Sequence, residues 1–274
     1  MDFQKVIAVA TRRGIFQSAF DAYGGLAGFI DYGPVGVKMR RRILETWRKL
    51  YVIDAGCLEL DGALIGPEAL FQASGHLGEF DDALVNCEDC KKQFRADHLV
   101  DGGEEMSRDE LAKAISGMAC PGCGATLSEM TSFNLMFSTG VGAGKGLPGY
   151  LRPETAQSIF LAFPWLLRQN RGKLPFAAAQ IGRSFRNEIS PRQGPLRMRE
   201  FTQMEVEHFF LPNEEPLLSD DLRNVTINLL DASGKETSST AGEAFDEGII
   251  SSSLVACHLA RAQKFLTIIG VPDK

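Results

Sequence analysis

The stretch AAQIGRSFRNEISPRQGPLRMREFTQMEVEHFF, residues 178–210, predicts two β-strands joined by a loop rich in proline and glycine. Alternate side chains of a strand lie on opposite faces. One face of the first strand therefore carries five residues, Gln180, Gly182, Ser184, Arg186 and Glu188, opposite Ile181 and Phe185. One face of the return strand carries four, Phe201, Gln203, Glu205 and Glu207, opposite Met204, Val206 and Phe210.

These polar faces allow two interpretations. A hairpin with an outer face in water also carries polar residues there. Arginine mixed with acids and an aromatic ring is, however, typical of a surface that binds a charged planar ligand. Alternation alone leaves both interpretations open.

The composition indicates an ordinary globular protein. The chain has 274 residues, of which 44% are hydrophobic and 23% charged, and its net charge is −6. That charge argues against a broadly basic surface for nucleic acid. The first residues have too short an apolar run for a secretory signal, and no stretch reaches the roughly 18 apolar residues of a membrane helix. We therefore expect a cytoplasmic protein.

Four of the six cysteines form two pairs, Cys87-x-x-Cys90 and Cys120-x-x-Cys123. Two such turns can place four thiolates around one zinc ion, with no coordination position left for catalysis. The alternatives are disulfides, which a reducing cytosol disfavours, and cysteines without metal. The 29 residues between the pairs predict an inserted helix at 107–118. Cys57 and Cys257 are expected to be buried small hydrophobes.

Apolar periodicity predicts three further helices, at 34–52, 158–167 and 252–269. Two of them have an apolar stripe: Val37, Leu44, Trp47 and Tyr51 on the first, and Val255, Leu259, Leu266 and Ile269 on the last. LELDGALIG at 58–66 is a strand candidate. The glycine-rich segment 139–149 is predicted to be a loop, because its lysine is not followed by the Ser or Thr of a phosphate-binding loop. Residues 213–253 are acidic and rich in Ser and Gly.

Helices and antiparallel strands come in runs rather than as regular βαβ units, which predicts an α+β fold with an antiparallel sheet flanked by helices. No GxGxxG sequence follows a strand, so a dinucleotide-binding fold is not expected.

Several motifs resemble those of one enzyme family. The sequence from Phe185 to Phe209 resembles motif 2 of a class II aminoacyl-tRNA synthetase. RPETAQSIF, ASGHLGEFDD and LPFAAAQIG are similar to glycyl-tRNA synthetases of the dimeric, archaeal and eukaryotic-like type. The helix at 34–52 resembles the motif 1 helix, which packs across the dimer interface in that family. A zinc-ribbon-like insertion is also a feature of many members.

The resemblance implies that glycine is activated with ATP to glycyl-adenylate and then transferred to tRNA(Gly). Arg186 would hold the α-phosphate and the glycine carboxylate as the catalytic arginine. Glu188, beside Asn187 in the ATP site, would accept from the adenine amino group. Phe201 would stack on adenine, and Arg197, or less readily Arg199, would reach the γ-phosphate. Mg²⁺ would accompany the ATP.

Selection of glycine requires a pocket that holds an ammonium group and leaves no room for a β-carbon. The resemblance implies that Glu154 and Glu205 bind the ammonium, with Gln203 beside it, and that Arg95 also contacts substrate. Each residue has a plainer interpretation as well. Glu154 suits a helix start, Glu205 and Arg186 suit an ion pair within the sheet, and Arg95 suits an exposed surface.

The chain stops at GVPDK, before the family's motif 3 and anticodon-binding domain, which predicts a truncated or split protein. The expected organisation is an N-terminal part of the catalytic domain with the motif 1 helix (1–84), a zinc-binding insertion (85–130), a core with RPETAQ and motif 2 (131–212), a second insertion (213–253) and a helix of the catalytic domain (254–274), with that domain incomplete at its C-terminus. Two other functions stay open: glycine activation without tRNA charging, and a non-catalytic fragment that binds or dimerises.

Overall fold

The computed structural model describes residues 2–144, 146–191, 194–212 and 214–271. The helices are α1 Phe3–Arg12, α2 Pro34–Arg48, α3 Glu68–Ala73, α4 Arg108–Ile115, α5 Ala156–Gln169, α6 Asp220–Arg223, α7 Ala241–Asp246 and α8 Ser253–Ile269. The strands are β1 Phe16–Ser18, β2 Ile30–Tyr32, β3 Leu58–Leu60, β4 Ile65–Pro67, β5 Asp81–Asn86, β6 Gln93–Arg95, β7 Thr131–Asn134, β8 Ser138–Val141, β9 Leu147–Leu151, β10 Phe176–Phe185, β11 Glu200–Phe209, β12 Thr226–Leu230 and β13 Glu236–Thr240.

The chain divides into two compact units. The first contains residues 1–35, 63–157 and 183–202, and the second contains residues 36–62, 158–182 and 203–274. Strands β10 and β11 each contribute residues to both units. Among the described residues, none of the helices is long and apolar enough to span a bilayer.

The second unit is built on a sheet with the strand order β11-β10-β3. The alanines of β10 alternate between two helices. Ala177 and Ala179 pack with Trp47 and Tyr51, which belong to α2 and to the π-helical turn, Lys49–Ile53, that continues it. Ala178 packs instead with Ile159 and other residues of α5. Because alanine has a small side chain, both helices can approach the sheet closely.

A second hydrophobic core of this unit lies under α8. Its buried members are Leu218, Leu222, Ile227, Ala241, Ala244, Ile250, Ala256, Cys257 and Ala260. The predicted stripe of α8 is wrong as a core face, because Val255, Leu259 and Leu266 are exposed by 49%, 37% and 38%. The small residues pack inward in their place, which brings the α8 backbone near β12 and α7.

The first unit contains three small antiparallel sheets. They are the pair β1-β2, the sheet β4-β9-β8 and the sheet β6-β5-β7. We name residues 81–134, which run from β5 to β7 and include α4, the four-cysteine module. Its core comprises Val85, Cys87, Ala96, Leu111, Ile115, Cys120 and Leu127. The helix predicted between the cysteine pairs is confirmed as α4, which begins with a capping box formed by Ser107 and Glu110.

The α+β fold class is confirmed, with one difference of detail: β10 pairs with β3 in parallel. Helices predicted at 34–52, 158–167 and 252–269 are confirmed as α2 with its π-helical turn, α5 and α8. Cys57 and Cys257 are buried, as predicted. The boundaries of the predicted domains stay predictions.

Two further sequence predictions are wrong. The segment 58–66 is not one strand but two, β3 and β4, which lie in different sheets. Residues 61–64 separate the two strands with a bend at Leu64, and at Gly62 a β-carbon would come within 2.6 Å of the Ser158 side chain. The glycine-rich segment 139–149 is a hairpin rather than a loop, because β8 and β9 take its two ends. Gly142 and Gly144, with φ of +94° and +69°, lie in the turn between the two strands. The sequence pattern of this segment did not reveal the strands on either side of it.

Candidate functional site

The polar face of β10 is the buried one. Gln180 and Ser184 are 0% exposed, and Glu188, just after the strand, is 8% exposed. Ile181 and Phe185, on the face predicted to be the core, are only partly buried. The interpretation of the polar face of β10 as a water-exposed surface is therefore wrong.

Arg186 lies between two aromatic rings. Its guanidinium carbon is 5.4 Å from the ring centre of Phe80 and 5.5 Å from that of Phe201. Its Nε donates to the carbonyl oxygen of Pro153 at 3.2 Å. No carboxylate among the described residues lies within ion-pair distance of this guanidinium. Its positive charge is consequently fixed in place by the rings and the carbonyl without being neutralised.

The segment 152–157 is anchored by its first residue. Arg152 is 3% exposed and donates from Nε to the carbonyl oxygen of Arg183 at 2.8 Å. The N–H of Phe185 donates in return to the carbonyl oxygen of Arg152 at 2.9 Å. These bonds hold the segment alongside the end of β10. They place the carbonyl oxygen of Pro153 where it accepts a hydrogen bond from Arg186.

Glu154 extends from this anchored segment and is 28% exposed at its side chain. Its Oε1 accepts from Gln157 Nε2 at 2.5 Å and lies 3.5 Å from His76 Nε2. The carboxylate is thus held by neighbours on both sides, and it follows directly after the proline that receives Arg186. This placement differs from that of a helix-start acid that only meets free N–H groups.

We name residues 186–199 the connecting loop; 186–191 and 194–199 of it are described. Within it, Arg197 Nε donates to Glu188 Oε2 at 2.7 Å. Arg199 gives its donors to backbone carbonyls instead, those of Glu188 at 2.8 Å and Ala27 at 3.0 Å. Burial lowers the pKa of Arg199. Asn187 is held through its N–H, which donates to the carbonyl oxygen of Leu135 at 2.7 Å.

A second charged group lies beside the Glu188–Arg197 pair. Arg95 binds Asp97 through both Nε and a terminal nitrogen, and its other terminal nitrogen lies 3.4 Å from Asp82 Oδ2. Arg197 reaches to within 4.0 Å of the same Asp82 oxygen. Burial raises the pKa of Asp82, and Arg95 opposes that change. The role of Arg95 toward glycine stays a prediction, since two aspartates bind its guanidinium here.

Gln203 and Glu205 belong to the other compact unit, where they lie two residues apart on β11 and so on the same face of that strand. Both are partly buried. The Oε1 atom of Gln203 is buried, and no hydrogen-bond partner for it occurs in the described part of the chain. A buried amide oxygen without a donor is a site at which a ligand's N–H can bind favourably.

The four cysteines of the module come together as the spacing predicted. Their sulfurs lie within 4.8 Å of one another, with Cys87–Cys123 at 3.4 Å and Cys90–Cys120 at 3.7 Å. Tetrahedral zinc with Zn–S bonds of about 2.3 Å places its sulfurs about 3.8 Å apart, so these residues fit the ion. A hydrogen bond from the backbone of Cys90 lowers the pKa of the Cys87 thiol to about 7, which favours the thiolate that binds metal.

Sequence reasoning missed four residues that shape the site: His76, Phe80, Asp82 and Arg152. Three of them lie in ASGHLGEFDD, a segment used only to support the resemblance. Its chemistry was not apparent because Phe80 and Arg186 are distant in the sequence, and only the folded chain brings them together.

The chain is similar to known proteins. Residues 148–241 match the family model described as tRNA synthetase class II core domain (G, H, P, S and T). A solved structure of the RNA binding domain of threonyl-tRNA synthetase from Cryptosporidium parvum Iowa II aligns with a TM-score of 0.47 and 18% identity, covering 75% of this chain and 37% of that one. A likeness at that level adds nothing to the assignment.

Curated relatives match almost the entire chain. Glycine–tRNA ligase of Methanothrix thermoacetophila is 44% identical over 98% of this chain and 48% of its own length. The corresponding proteins of Methanothermobacter thermautotrophicus and Archaeoglobus fulgidus are 41% and 42% identical, and 51% and 49% of their lengths are covered. The chain spans about half the length of the curated relatives it matches. It is thus related along nearly its full length to the class II glycine–tRNA ligases, as its motifs predicted.

Proposed function

We propose that this chain supplies the amino-acid-activating site of a glycine–tRNA ligase, in which ATP and glycine react to glycyl-adenylate and pyrophosphate before glycine passes to tRNA(Gly). The observation that carries the proposal is Arg186, an arginine fixed between two rings with no neutralising carboxylate within the described residues. Such an arginine is a receptor for anions, and the reaction joins two of them.

The chemistry is an in-line attack of the glycine carboxylate on the α-phosphorus of ATP. Charge grows on the equatorial oxygens of the pentacoordinate phosphorus, and the pyrophosphate leaves. Because Nε of Arg186 is taken by Pro153, its two terminal nitrogens remain to bind an α-phosphate oxygen and the attacking carboxylate. This arrangement aligns the reactants and stabilises the developing charge with donors that are already oriented.

The remaining nucleotide contacts follow from the connecting loop and Phe201. Phe201 stacks on adenine, and Glu188 accepts from the adenine amino group beside Asn187. Arg197 binds the γ-phosphate. Since Arg197 is bonded to Glu188 in this structure, ATP must exchange that ion pair for two new contacts, one for each partner. Mg²⁺ accompanies the triphosphate in this proposal.

Glu154, Gln203 and Glu205 bind the glycine ammonium. Glu154 is already oriented by Gln157 and His76, and Gln203 carries a buried oxygen in need of a donor. A pocket closed around the α-carbon rejects alanine, because an added methyl group in a filled site costs about 1–3 kcal/mol.

Three further parts of the proposal come from the sequence and, for the dimer, from the family resemblance. Zinc binds the four sulfurs of Cys87, Cys90, Cys120 and Cys123 and stabilises the four-cysteine module. The protein forms a homodimer through α2, on which Met39 is 50% exposed. It works in the cytoplasm.

The test is ATP binding by calorimetry. We expect Arg186→Gln to weaken the affinity for ATP at least about tenfold and to abolish glycine-dependent ATP–pyrophosphate exchange. The matched control is Arg183→Gln, which removes an arginine three residues earlier, on β10, that pairs with Glu200 at 3.2 Å. Equal loss in both variants, or none in either, would refute the assignment of Arg186.

The glycine pocket has its own test. Glu205→Gln keeps the size of the side chain and removes its charge, so glycine should no longer stimulate exchange while ATP affinity stays within about twofold of the parent. Glu207→Gln, two residues along the same strand, is the control and is expected to keep the glycine response. An unchanged response of Glu205→Gln would contradict the pocket assignment.

A further inference from the structure

The hairpin β5–β6 has the cysteine cluster at one end. Cys87 follows β5 directly, Cys90 precedes β6, and the turn between them is closed by the N–H of Cys87, which donates to the carbonyl oxygen of Lys92 at 2.9 Å. The strand register pairs Asn86 with Gln93, so Gln93 is the first residue of β6 beyond this turn. A metal ion bound by the cysteines therefore fixes the backbone of Gln93 at close range.

The connecting loop binds this end of the hairpin. Ser190 Oγ donates to the carbonyl oxygen of Gln93 at 2.9 Å. Ser190 lies between Ile189 and Pro191, both of which are buried. The hydrogen bond is itself exposed, and it joins the loop, two residues beyond Glu188, to a backbone carbonyl three residues from a cysteine of the cluster.

The loop also contacts β5 near its start, where β5 pairs with β7 rather than with β6. Asp82, near the start of β5, has its Oδ2 atom 4.0 Å from a terminal nitrogen of Arg197 and 3.4 Å from one of Arg95. That oxygen is buried and accepts no hydrogen bond within the described residues. Asp82 and Glu188 consequently compete for Arg197, which keeps the guanidinium between two carboxylates.

The hairpin between these contacts is a stiff link. Asp82 and Cys87 are five residues apart along the strand, a length of roughly 16 Å at about 3.3 Å per residue. Strand β5 is hydrogen-bonded to β7 at residues 81–84 and to β6 at residues 84–86, and such a paired strand is less mobile than a connecting loop. When the cysteine turn is ordered, Asp82 and the carbonyl group of Gln93, which contact the connecting loop, are therefore held in place as well.

We infer that Asp82 and Ser190 are positioning residues, through which the metal-bound four-cysteine module holds the connecting loop and its residues Glu188 and Arg197 in a nucleotide-ready conformation. The inference rests on the proposed function only for what the loop binds. The coupling itself can be measured without nucleotide.

The experiment measures amide hydrogen exchange of peptides covering 186–199 in the zinc-loaded protein, before and after removal of zinc with a chelator. We expect removal to speed exchange in the loop at least about tenfold. In the zinc-loaded double variant Asp82→Asn, Ser190→Ala the loop should already exchange at about that faster rate, and chelation should add less than about twofold.

Two matched substitutions in the same module serve as controls. Asp81→Asn removes a neighbouring carboxylate that pairs with Arg108, and Ser128→Ala removes a hydroxyl that accepts from the N–H of Asn86. Both residues bind the same hairpin and neither contacts the loop in the described structure. With zinc bound, both controls are expected to leave loop exchange unchanged.

ATP affinity is measured on the same proteins. We expect the double variant to bind ATP about three- to tenfold more weakly than the parent and to be insensitive to zinc, because the link is already broken. The inference is overturned if chelation speeds exchange within 107–127 while the loop keeps its protection. If loop exchange responds as expected but no form binds ATP, the proposed function fails and the coupling stands.

Discussion

The four-cysteine module and the connecting loop are each stabilised by a different kind of interaction. The module places four sulfurs within 4.8 Å of one another over a core that includes two of those cysteines. The loop depends on single, partly buried polar contacts, of which Arg197–Glu188 at 2.7 Å is the shortest ion pair. Metal coordination is lost all at once, whereas ion pairs can be exchanged one at a time. The difference is consistent with the proposal that the module supports the loop and that the loop binds ATP.

The greatest change is expected when one of the four zinc-binding cysteines is replaced. In Cys120→Ala, loss of one ligand from a four-sulfur site should abolish tight zinc binding and unfold the module, because apparent binding free energies of structural zinc are on the order of 10 kcal/mol or more. Zinc content and circular dichroism measure the change. Cys57→Ala, which alters a buried cysteine outside the module, should keep one zinc per chain. Retention of zinc by Cys120→Ala would contradict the assignment.

A smaller effect is expected in the loop. Glu188→Gln removes the carboxylate of a side chain that is 11% exposed and leaves Arg197 without its nearest partner. The free energy of unfolding should therefore fall by about 1–3 kcal/mol. Urea unfolding at neutral pH measures it. Glu200→Gln breaks the half-exposed pair with Arg183 and should cost less than about 0.5 kcal/mol. Equal losses would show that burial does not distinguish the two pairs.

A weaker effect is expected for a buried pair of histidines, His208 and His258, which have a positively charged arginine nearby. His208 Nε2 lies 2.9 Å from His258 Nε2, and burial, with His258 and Arg261 nearby, lowers the pKa of His208 to about 4. The unfolded chain binds the proton more readily, so stability falls as the pH drops from about 6.5 toward 4. Linkage sets an upper limit of about 2 kcal/mol at pH 5, and partial exposure reduces it.

Urea midpoints at pH 7 and pH 5 measure that decrease. His208→Gln cannot take up the proton and should lose less stability between these two pH values than the parent. His98→Gln changes an exposed histidine of the four-cysteine module and should retain the full decrease. An equal decrease in His208→Gln and the parent would show that another group is responsible.

Local sequence signals predicted much of the fold correctly. Helices α2, α4, α5 and α8 follow from apolar periodicity and capping, which act within a few residues. The errors arose where tertiary packing overrides local preference. The apolar residues Val255, Leu259 and Leu266 predicted a core face, but alanines and a cysteine occupy the core because the α8 backbone packs closely there.

The cysteine cluster, the strands of residues 178–210 and the relationship to glycine–tRNA ligases were predictable from the amino-acid sequence, because spacing and motifs involve residues that are close along the chain. The folded chain was needed to see that the polar face of β10 is buried, that Phe80 and Pro153 hold Arg186, and that Asp82 lies beside Arg197. Burial and charge pairing depend on residues that are distant along the chain, and they become defined only when the chain folds.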